Sequence, residues 1–471
     1  MIKTKGTKDF TQGPIFFPML LFTLPLMATS LLQILYNAAD KVVVGQYAEN
    51  GALGIGAIGS TGSLTTLITA LAIGLAVGAG VTVAQRYGAH DDRGLSRSVH
   101  TIFTVGLVVG LFVGVLGFVL SKPLLSVMGT RPELYDLAVT YMRIIFIGMP
   151  AQILYNFGAA VMRSVGNSKT PLIILATTGL LNVGLNLVFV LGFHMSVEGV
   201  ALATIAAQYV SAFTVWFVLS RREDSVRFSF SLLCFDRRTF RDIVHIGVPS
   251  GITSSVFSLA NVLLQSAVNT FPDTAVSGNA VGSSMEDFTY VAMNSFYQAV
   301  ITFTGQNVGA KRPDRVKRVL GYGLIQVVVV GLFISYGCIF FSNAAMFPKG
   351  GLLSLFINSG ETNAPLILAA ARERNSVVLA TYVLCGIMEV VLGHLRGRGC
   401  SVIPMISSLV CSCLLRMLWV WFVFPFNQTL PFLLLCYPIS WVLTILCHFV
   451  TVRVLNRRER AHEEALVREN A

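Results

Sequence analysis

Long apolar stretches of about the length of a bilayer crossing alternate with short polar segments along the whole chain. The runs 101–120, 319–341 and 431–452 contain no Asp, Glu, Lys or Arg at all. A helix needs about 20 mostly apolar residues to cross the hydrocarbon core. The pattern therefore predicts an all-α integral membrane protein. About twelve spans are predicted, near residues 15–39, 52–81, 99–121, 135–160, 171–193, 198–220, 243–270, 279–304, 319–343, 363–394, 401–424 and 432–453.

Composition supports this prediction, because the chain is 54% hydrophobic and only 12% charged, whereas soluble domains have roughly 25% charged residues. The net charge of +11 has a topological meaning. If the N-terminus is inside the cell, the segments on that side hold 26 of the 34 Lys and Arg residues. This is the positive-inside bias. It predicts a multi-pass membrane protein with both termini in the cytoplasm, and it argues against nucleic acid as a partner.

Several kinds of function are not expected. There is no Gly-x-x-x-x-Gly-Lys-Ser/Thr phosphate loop, so we expect no nucleotide hydrolysis. No nucleophile–base arrangement, cofactor motif or metal-ligand spacing appears, and the eight cysteines are interpreted as free thiols. The first apolar run is interpreted as a retained helix rather than a cleaved signal. We expect a protein that is not an enzyme, binds no cofactor and has no obligate protein partner.

Elements of the chain occur twice. Gln-x-x-Gly-Ala appears at 85–89 and at 306–310, each time before a charged loop. Arg-x-x-Gly-x-Ser-x-x-Pro appears at 163–171 and at 396–404. Arg can anchor at the headgroups, Gly permits a tight turn, and Pro suits the first turn of the next helix. Their repetition in the same order predicts an internal duplication.

Each half has an even number of predicted spans, so both halves begin on the cytoplasmic side. We expect a pseudo-twofold axis along the membrane normal, with a cavity between two six-helix lobes. The predicted segments are a cytoplasmic N-terminal segment 1–14, an N-terminal lobe 15–220, a linker 221–242, a C-terminal lobe 243–455 and a cytoplasmic tail 456–471.

These residues resemble the multidrug and toxic compound extrusion (MATE) family, in its bacterial branch. The matching pieces are the stretch from Pro25 to Asp40, the two duplicated elements, and the run 285–299. Segment 344–375 fits least well. The resemblance implies cation-driven export of organic, often cationic and amphipathic compounds across the bacterial inner membrane, by alternating access between the two lobes.

Polar residues in the first half form a candidate ion site. Asp40, near the outer end of the first span, is either hydrated at the interface or functional. Asn182 and Asn186 are four residues apart and share one face of the fifth span, and Thr204 could join them from the sixth. The resemblance implies that these residues form a network with the acid of the first span, which also holds Tyr36.

Asn186 departs from the family pattern, in which an Asp stands at this place. Asp40 is then the only obvious titratable carboxylate of the N-terminal lobe, so protons are favoured over sodium. The asparagines could also serve only as interhelical hydrogen bonds. Pro25 lies within the first span, where it is either a static kink or, as the resemblance implies, a hinge that responds to protonation.

The second half offers candidates for the substrate cavity. Glu286 and Glu389 lie within the eighth and tenth spans, where they could attract a cationic substrate or pair with each other or with Arg416. Arg374 is expected outside the membrane. The remaining cavity candidates are the polar residues Asn37, Asn261, Gln265 and Asn294.

The sequence thus predicts an antiporter that exchanges an organic compound for H⁺ or Na⁺ within the lipid bilayer. One alternative is a flippase or exporter of a lipid-linked precursor, which would need a strongly cationic cavity. The sequence places more acids than bases at membrane depth, and this argues against the flippase. A non-transporting scaffold is a second alternative, but it would need neither duplicated halves nor polar residues inside the membrane.

Overall fold

Helices make up the regular structure of the computed structural model, which describes residues 7–47, 51–343, 351–357 and 363–469. No strand occurs among these residues, and the predicted all-α membrane fold is confirmed. The α-helices are α1 (Phe16–Tyr47), α2 (Gly51–Gly88), α3 (Asp92–Val127), α4 (Pro132–Ser164), α5 (Lys169–Leu187), α6 (Val197–Ser220), α7 (Arg237–Val268), α8 (Asp273–Gly309), α9 (Pro313–Asn343), α10 (Ala364–Val377), α11 (Val383–Gly397), α12 (Val402–Ser408), α13 (Leu415–Leu418), α14 (Leu430–Leu434) and α15 (Cys436–Glu469).

Each of the twelve predicted spans coincides with a helix or with a helix that is locally interrupted. Ten are long and apolar enough to cross a membrane by length and composition alone. The eighth, α8, is too polar for that criterion. The tenth is divided into α10 and α11 by a turn at 378–382. The fifth and eleventh spans contain π-helical turns, at Val188–Gly192 in the fifth and at Leu409–Leu414 and Trp419–Val423 in the eleventh.

The chain divides into two compact units. Unit 1 consists of residues up to Ser255 together with Thr302–Val316, and unit 2 consists of Val256–Ile301 together with the residues from Lys317 onwards. The first half of α7 and the last turns of α8 therefore belong to unit 1. The predicted lobe boundaries at 221–242 stay a prediction.

In unit 1, α4 packs against α2, α3 and α6. Small residues allow the close approach of α3. A Cβ added at Gly110 would lie 2.7 Å from Pro150 Cα, and one at Gly114 would lie 2.8 Å from the carbonyl oxygen of Phe146. This packing supplies rigid support for the helices that carry the candidate ion site.

The duplicated Arg-x-x-Gly turns have the same backbone geometry in both halves. Gly166 has φ +83° and Gly399 has φ +82°. The Gly166 N–H donates to the carbonyl of Arg163 at 2.9 Å, and the Gly399 N–H donates to that of Arg396 at 2.8 Å. A glycine in the left-handed region commonly ends a helix in this way. The sequence repeat is therefore also a structural repeat.

The duplicated Gln-x-x-Gly-Ala elements, which end α2 and α8, contact each other within unit 1. A Cβ at Gly88 would lie 1.9 Å from the carbonyl oxygen of Gln306. A Cβ at Gly309 would lie 1.8 Å from the carbonyl oxygen of Gln85. Glycine is required at both positions because the two backbones cross without room for a side chain.

The residues before α1 pack against the end of α8 and the turn after α4. Phe10 is buried, and its ring stacks on Phe303 with centroids 3.8 Å apart. Its N–H donates to Gln306 Oε1 at 2.9 Å, and its carbonyl accepts from Arg315 Nη2 at 2.9 Å. The main chain at Lys8 also donates to the carbonyl of Val165 at 3.1 Å. The end of α8 is thereby tied to the turn after α4.

Replacing Gly166 with alanine is expected to lower the apparent unfolding temperature of the purified protein. The left-handed backbone costs alanine about 1–2 kcal/mol, and the new Cβ would lie 2.4 Å from the carbonyl oxygen of Lys8. Thermal unfolding in detergent measures the effect. The control is Gly337→Ala on α9, where a Cβ would meet nothing within 4 Å. Equal unfolding temperatures for the two variants would contradict the prediction.

Candidate functional site

Three helices of unit 1 bring the predicted ion-coupling residues together. Asn186 Nδ2 on α5 donates to Asp40 Oδ1 on α1 at 2.6 Å. Thr204 Oγ1 on α6 lies 3.4 Å from Asp40 Oδ2. Asn182, one turn before Asn186, donates to Thr204 Oγ1 at 3.3 Å and accepts from Asn186 Nδ2 at 3.4 Å. The spacing of the two asparagines on one face of α5 makes this closed ring of contacts possible.

The bonds of this network differ in strength. The contact of 2.6 Å between Asn186 and Asp40 has the short length typical of a hydrogen bond to an ionised group. The others, at 3.3–3.4 Å, are longer than ordinary hydrogen bonds and hold their partners weakly. Asp40 is thus tied mainly to α5, and Asn186 is 0% exposed there.

Only neutral groups surround the carboxylate in the described part of the chain. No Lys, Arg or His of those residues forms an ion pair with Asp40, since the ion pairs involve other carboxylates. The adjacent Lys41 is exposed. The described residues thus offer Asp40 hydrogen bonds from neutral groups and no compensating positive charge.

Asn186 has one acceptor that is not used. Its Nδ2 group makes two contacts, but its buried Oδ1 has no hydrogen-bond partner in the described residues. Buried polar atoms normally find a partner. This acceptor lies on the same amide that holds Asp40, so it is available to a donor that appears there.

Tyr36 and Asn37 do not bond to Asp40. The Tyr36 hydroxyl donates to the carbonyl of Ala176 on α5 at 3.1 Å. Its ring lies against Gly179, where a Cβ would be 1.9 Å away. Tyr36 therefore fixes the distance between α1 and α5 one turn before Asp40, while Asn37 is exposed.

Pro25 lies inside α1, where it removes one backbone hydrogen bond. The Thr29 hydroxyl donates to the carbonyl of Pro25 at 2.7 Å. The same arrangement occurs in α7, where Thr253 donates to the carbonyl of Pro249 at 2.7 Å. A threonine bonded to the carbonyl four residues earlier bends a helix further. A hinge at Pro25 stays a prediction.

Unit 2 contains a buried ion pair that the sequence did not predict correctly. Glu286 Oε1 on α8 lies 2.7 Å from Arg374 Nη2 on α10. The expected partners of Glu286 were Glu389 and Arg416, and Arg374 was expected outside the membrane. Instead, Arg374 is only 3% exposed. Gly282 allows this, since a Cβ there would lie 2.8 Å from Arg374 Cδ.

Polar residues of α7 and α8 extend this cluster. Arg374 Nη1 donates to Asn279 Oδ1 at 2.6 Å, and Asn279 Nδ2 donates to Gln265 Oε1 at 3.2 Å. Asn261, one turn before Gln265 on α7, accepts from Arg416 Nη1 at 3.3 Å. Both Asn261 and Gln265 are exposed. Two of the predicted cavity residues on α7 and Glu286 on α8 thus share one site.

Asn294 and Glu389 are not joined to this cluster. Asn294 lies two turns beyond Glu286 on α8, and no ion pair connects Glu389 to a residue that the structure describes. The sequence analysis missed Arg374, Asn279 and Tyr437. The signal for Arg374 was weak because it lies in segment 344–375, which has little resemblance to the family and an interrupted apolar pattern.

Comparison with known proteins places the chain in a family. The sequence model of the family MatE matches residues 25–188 and 249–422. The probable multidrug resistance protein YoeA of Bacillus subtilis is 25% identical over 86% of each chain. The probable multidrug resistance protein YpnP of the same organism is 30% identical over 65% of this chain and 68% of its own length. The multidrug export protein MepA of Staphylococcus aureus is 24% identical over 85% of this chain and 86% of its own.

Solved structures agree on the fold. A MOP superfamily transporter from Pyrococcus furiosus has a TM-score of 0.84 at 21% identity, over 96% of this chain and 98% of that one. An outward-facing multidrug resistance MATE transporter has a TM-score of 0.82 over the same shares of the two chains. The family match covers both halves, and the fold of these transporters extends over nearly the whole chain. The chain therefore belongs to the MatE family of multi-pass membrane transporters.

Proposed function

We propose that this transporter exports small organic compounds across the bacterial cell membrane in exchange for protons, with Asp40 as the group that carries the proton. The observation that supports this most directly is the setting of Asp40, which is held by an amide and a hydroxyl and by no cationic side chain of the described residues. An ionisable residue at membrane depth is functional by default. The names of YoeA, YpnP and MepA, which refer to multidrug resistance or multidrug export, support an organic substrate.

Protonation would change the hydrogen bonding of Asp40 in a definite way. The carboxylate accepts from Asn186 Nδ2, whereas the protonated acid also carries an O–H donor. Asn186 Oδ1 has no hydrogen-bond partner in the described residues, and it belongs to the amide that already contacts Asp40. Rotation of the Asn186 amide would present this oxygen to the new donor and would break the contact with Asn182. Protonation would thus reverse the hydrogen bond between α1 and α5 and open the ring at Asn182. We expect α1 to shift as a result, with Pro25 as the predicted bending point.

Protons are favoured over sodium because the site has a single carboxylate. No group of three or more His, Cys, Asp or Glu residues suited to a metal ion occurs in the described residues. A sodium ion would have to be held largely by neutral oxygens, and Asn182 Oδ1 already accepts from Asn186. A lipid-linked precursor as substrate is not favoured by the family or by the names of the relatives.

The topology remains part of this proposal. Both termini would lie in the cytoplasm, with the two six-helix lobes alternating in access and no other protein required. The basic segments inferred to face the cytoplasm support this orientation through the positive-inside bias. In this orientation, the proposed exchange moves substrate out of the cell while protons move in.

The test is transport by purified protein in proteoliposomes, with a proton gradient or a sodium gradient imposed separately. Ethidium, a cation, and norfloxacin, which carries a carboxylate and an amine, serve as fluorescent substrates. We expect the proton gradient alone to drive transport and sodium to have no effect. Transport driven by sodium alone would overturn the proton assignment. Absence of driven transport of any organic probe would overturn the proposed function.

A further inference from the structure

Arg416 of unit 2 is a buried cation with no carboxylate of the described residues in direct contact. Its side chain is on α13 and is 3% exposed. Its polar partners are neutral, with Ser440 Oγ 3.2 Å from Nε and Asn261 Oδ1 3.3 Å from Nη1. No carboxylate of the described residues forms an ion pair with it. The other arginine of this cluster, Arg374, is neutralised by Glu286.

Both arginines lie close to one aromatic ring. The Arg416 guanidinium is 4.4 Å from the centroid of the Tyr437 ring, and the Arg374 guanidinium is 5.9 Å from it. The direct ion pair of Glu286 is with Arg374, so Arg416 has no carboxylate of the described residues in direct contact. Asp287 follows Glu286 on α8; it is exposed and lies beyond ion-pair distance of both arginines, although it interacts electrostatically with Arg374.

A buried charge without an ion pair is unfavourable, because its desolvation costs several kcal/mol and contacts with neutral groups compensate only part of that free energy. The ring of Tyr437 and the two neutral oxygens supply such partial compensation. A chain that needed Arg416 only for packing would be more stable with an apolar residue of similar size. A ligand that brings a negative charge would complete the compensation.

Asn261 on α7 lies at the exposed edge of this site. Asn261 is exposed while it contacts the buried guanidinium, so a ligand that displaces its side chain reaches Arg416 directly. At 3.3 Å this contact is long for a hydrogen bond and is easily given up. The rings of Tyr437 and of Phe257, 5.9 Å from the guanidinium, offer apolar surface for the rest of an organic molecule.

We propose that Arg416 binds a carboxylate carried by the transported compound, with Asn261 as the residue that leaves on binding. The guanidinium presents two parallel N–H groups that match the two oxygens of a carboxylate. A carboxylate brings one negative charge to this one guanidinium, whereas a phosphate monoester would bring nearly two. The proposal refines the proposed function, since it takes the ligand of this site to be the exported substrate. It adds a negatively charged group to the organic, often cationic substrates expected from the sequence.

Equilibrium binding of two matched dyes to the full-length protein in detergent tests this. Tetramethylrhodamine carries a free carboxylate, and tetramethylrhodamine methyl ester differs only in having that group esterified. Fluorescence anisotropy should show that the wild type binds the free acid about tenfold or more tightly than the ester, as expected for hydrogen bonds to a charged group. Arg416→Gln should remove this preference and leave the affinity for the ester within about twofold. Arg416→Lys should keep part of the preference, because the charge remains but the paired geometry is lost.

Arg143→Gln is the matched control, since Arg143 is an arginine within α4 of unit 1 and should not affect the preference. Ester binding that survives in Arg416→Gln shows that this variant is folded. Equal affinities of the wild type for the two dyes, failure of the free acid to bind, or a preference that persists in Arg416→Gln would overturn the proposal. Binding without a gradient does not depend on proton coupling. Sodium-driven transport would therefore contradict the proposed function and leave this result standing.

Discussion

Replacing Asp40 with asparagine is expected to abolish proton-driven accumulation of substrate. Asparagine is close to aspartate in size but cannot take up a proton, so the exchange loses its driving force. A pH difference of about 2 units supplies about 2.7 kcal/mol per proton, which in a one-for-one exchange sustains a concentration ratio of about 100-fold. The variant should relax to a ratio near 1. The measurement is the steady-state distribution of norfloxacin in proteoliposomes, with the membrane potential held at zero by potassium and valinomycin.

The matched control is Asp136→Asn, which makes the same chemical change at an exposed position of α4 in unit 1. It should keep the full gradient-driven ratio. A driven ratio that persists in Asp40→Asn would remove this residue from the coupling mechanism. If both variants lost the ratio, the effect would lie in the loss of negative charge in general and not in this site.

Breaking the ion pair between Glu286 and Arg374 is expected to cause a large loss of stability. Removing one partner of a buried pair costs about 3–5 kcal/mol, because the other charge is left without compensation. Arg374→Met would leave Glu286 without its ion-pair partner. Glu286→Gln would leave Arg374 in contact with the neutral groups Asn279 and Tyr437. Unfolding by a denaturing detergent, followed by tryptophan fluorescence, measures the free energy of unfolding for each variant.

The double variant Glu286→Gln with Arg374→Met makes this prediction specific. With both charges removed, no uncompensated ion remains, so the double variant should be more stable than at least one of the single variants. The control is Arg398→Met, whose partner Glu459 is 56% exposed and can be hydrated when left alone; surface pairs contribute about 0–1 kcal/mol. Strictly additive losses in the double variant would show that the two side chains do not stabilise each other.

The local part of the ion site could be predicted from the sequence. Asn182 and Asn186 were placed on one face because helical periodicity fixes the direction of side chains four residues apart. Their meeting with Asp40 and Thr204 required knowledge of how α1, α5 and α6 pack, and no periodicity contains that information. It came from the resemblance to a family, and the structure brings the same residues together.

The cluster of unit 2 was less predictable for the same physical reason. Glu286 and Glu389 both lie in apolar surroundings, and a sequence does not tell which of two buried acids faces a base on another helix. Arg374 was assigned to the outside because it lies in none of the segments assigned to the cytoplasm, although the predicted span 363–394 includes it. Its burial depends on Gly282, a residue whose small size matters only once the neighbouring helix is known.

The matching prolines of α1 and α7, each with a threonine bonded to its carbonyl, also indicate how the two halves diverged. At a constant offset of 224 positions, Pro25, Thr29 and Asn37 correspond to Pro249, Thr253 and Asn261, but Asp40 corresponds to Leu264, which is buried. A proline and threonine shared by both copies are most simply inherited from the ancestral half-length protein, whereas the acid is present in only one copy. The proline of α7 therefore stands in a helix that has no acid at the position corresponding to Asp40.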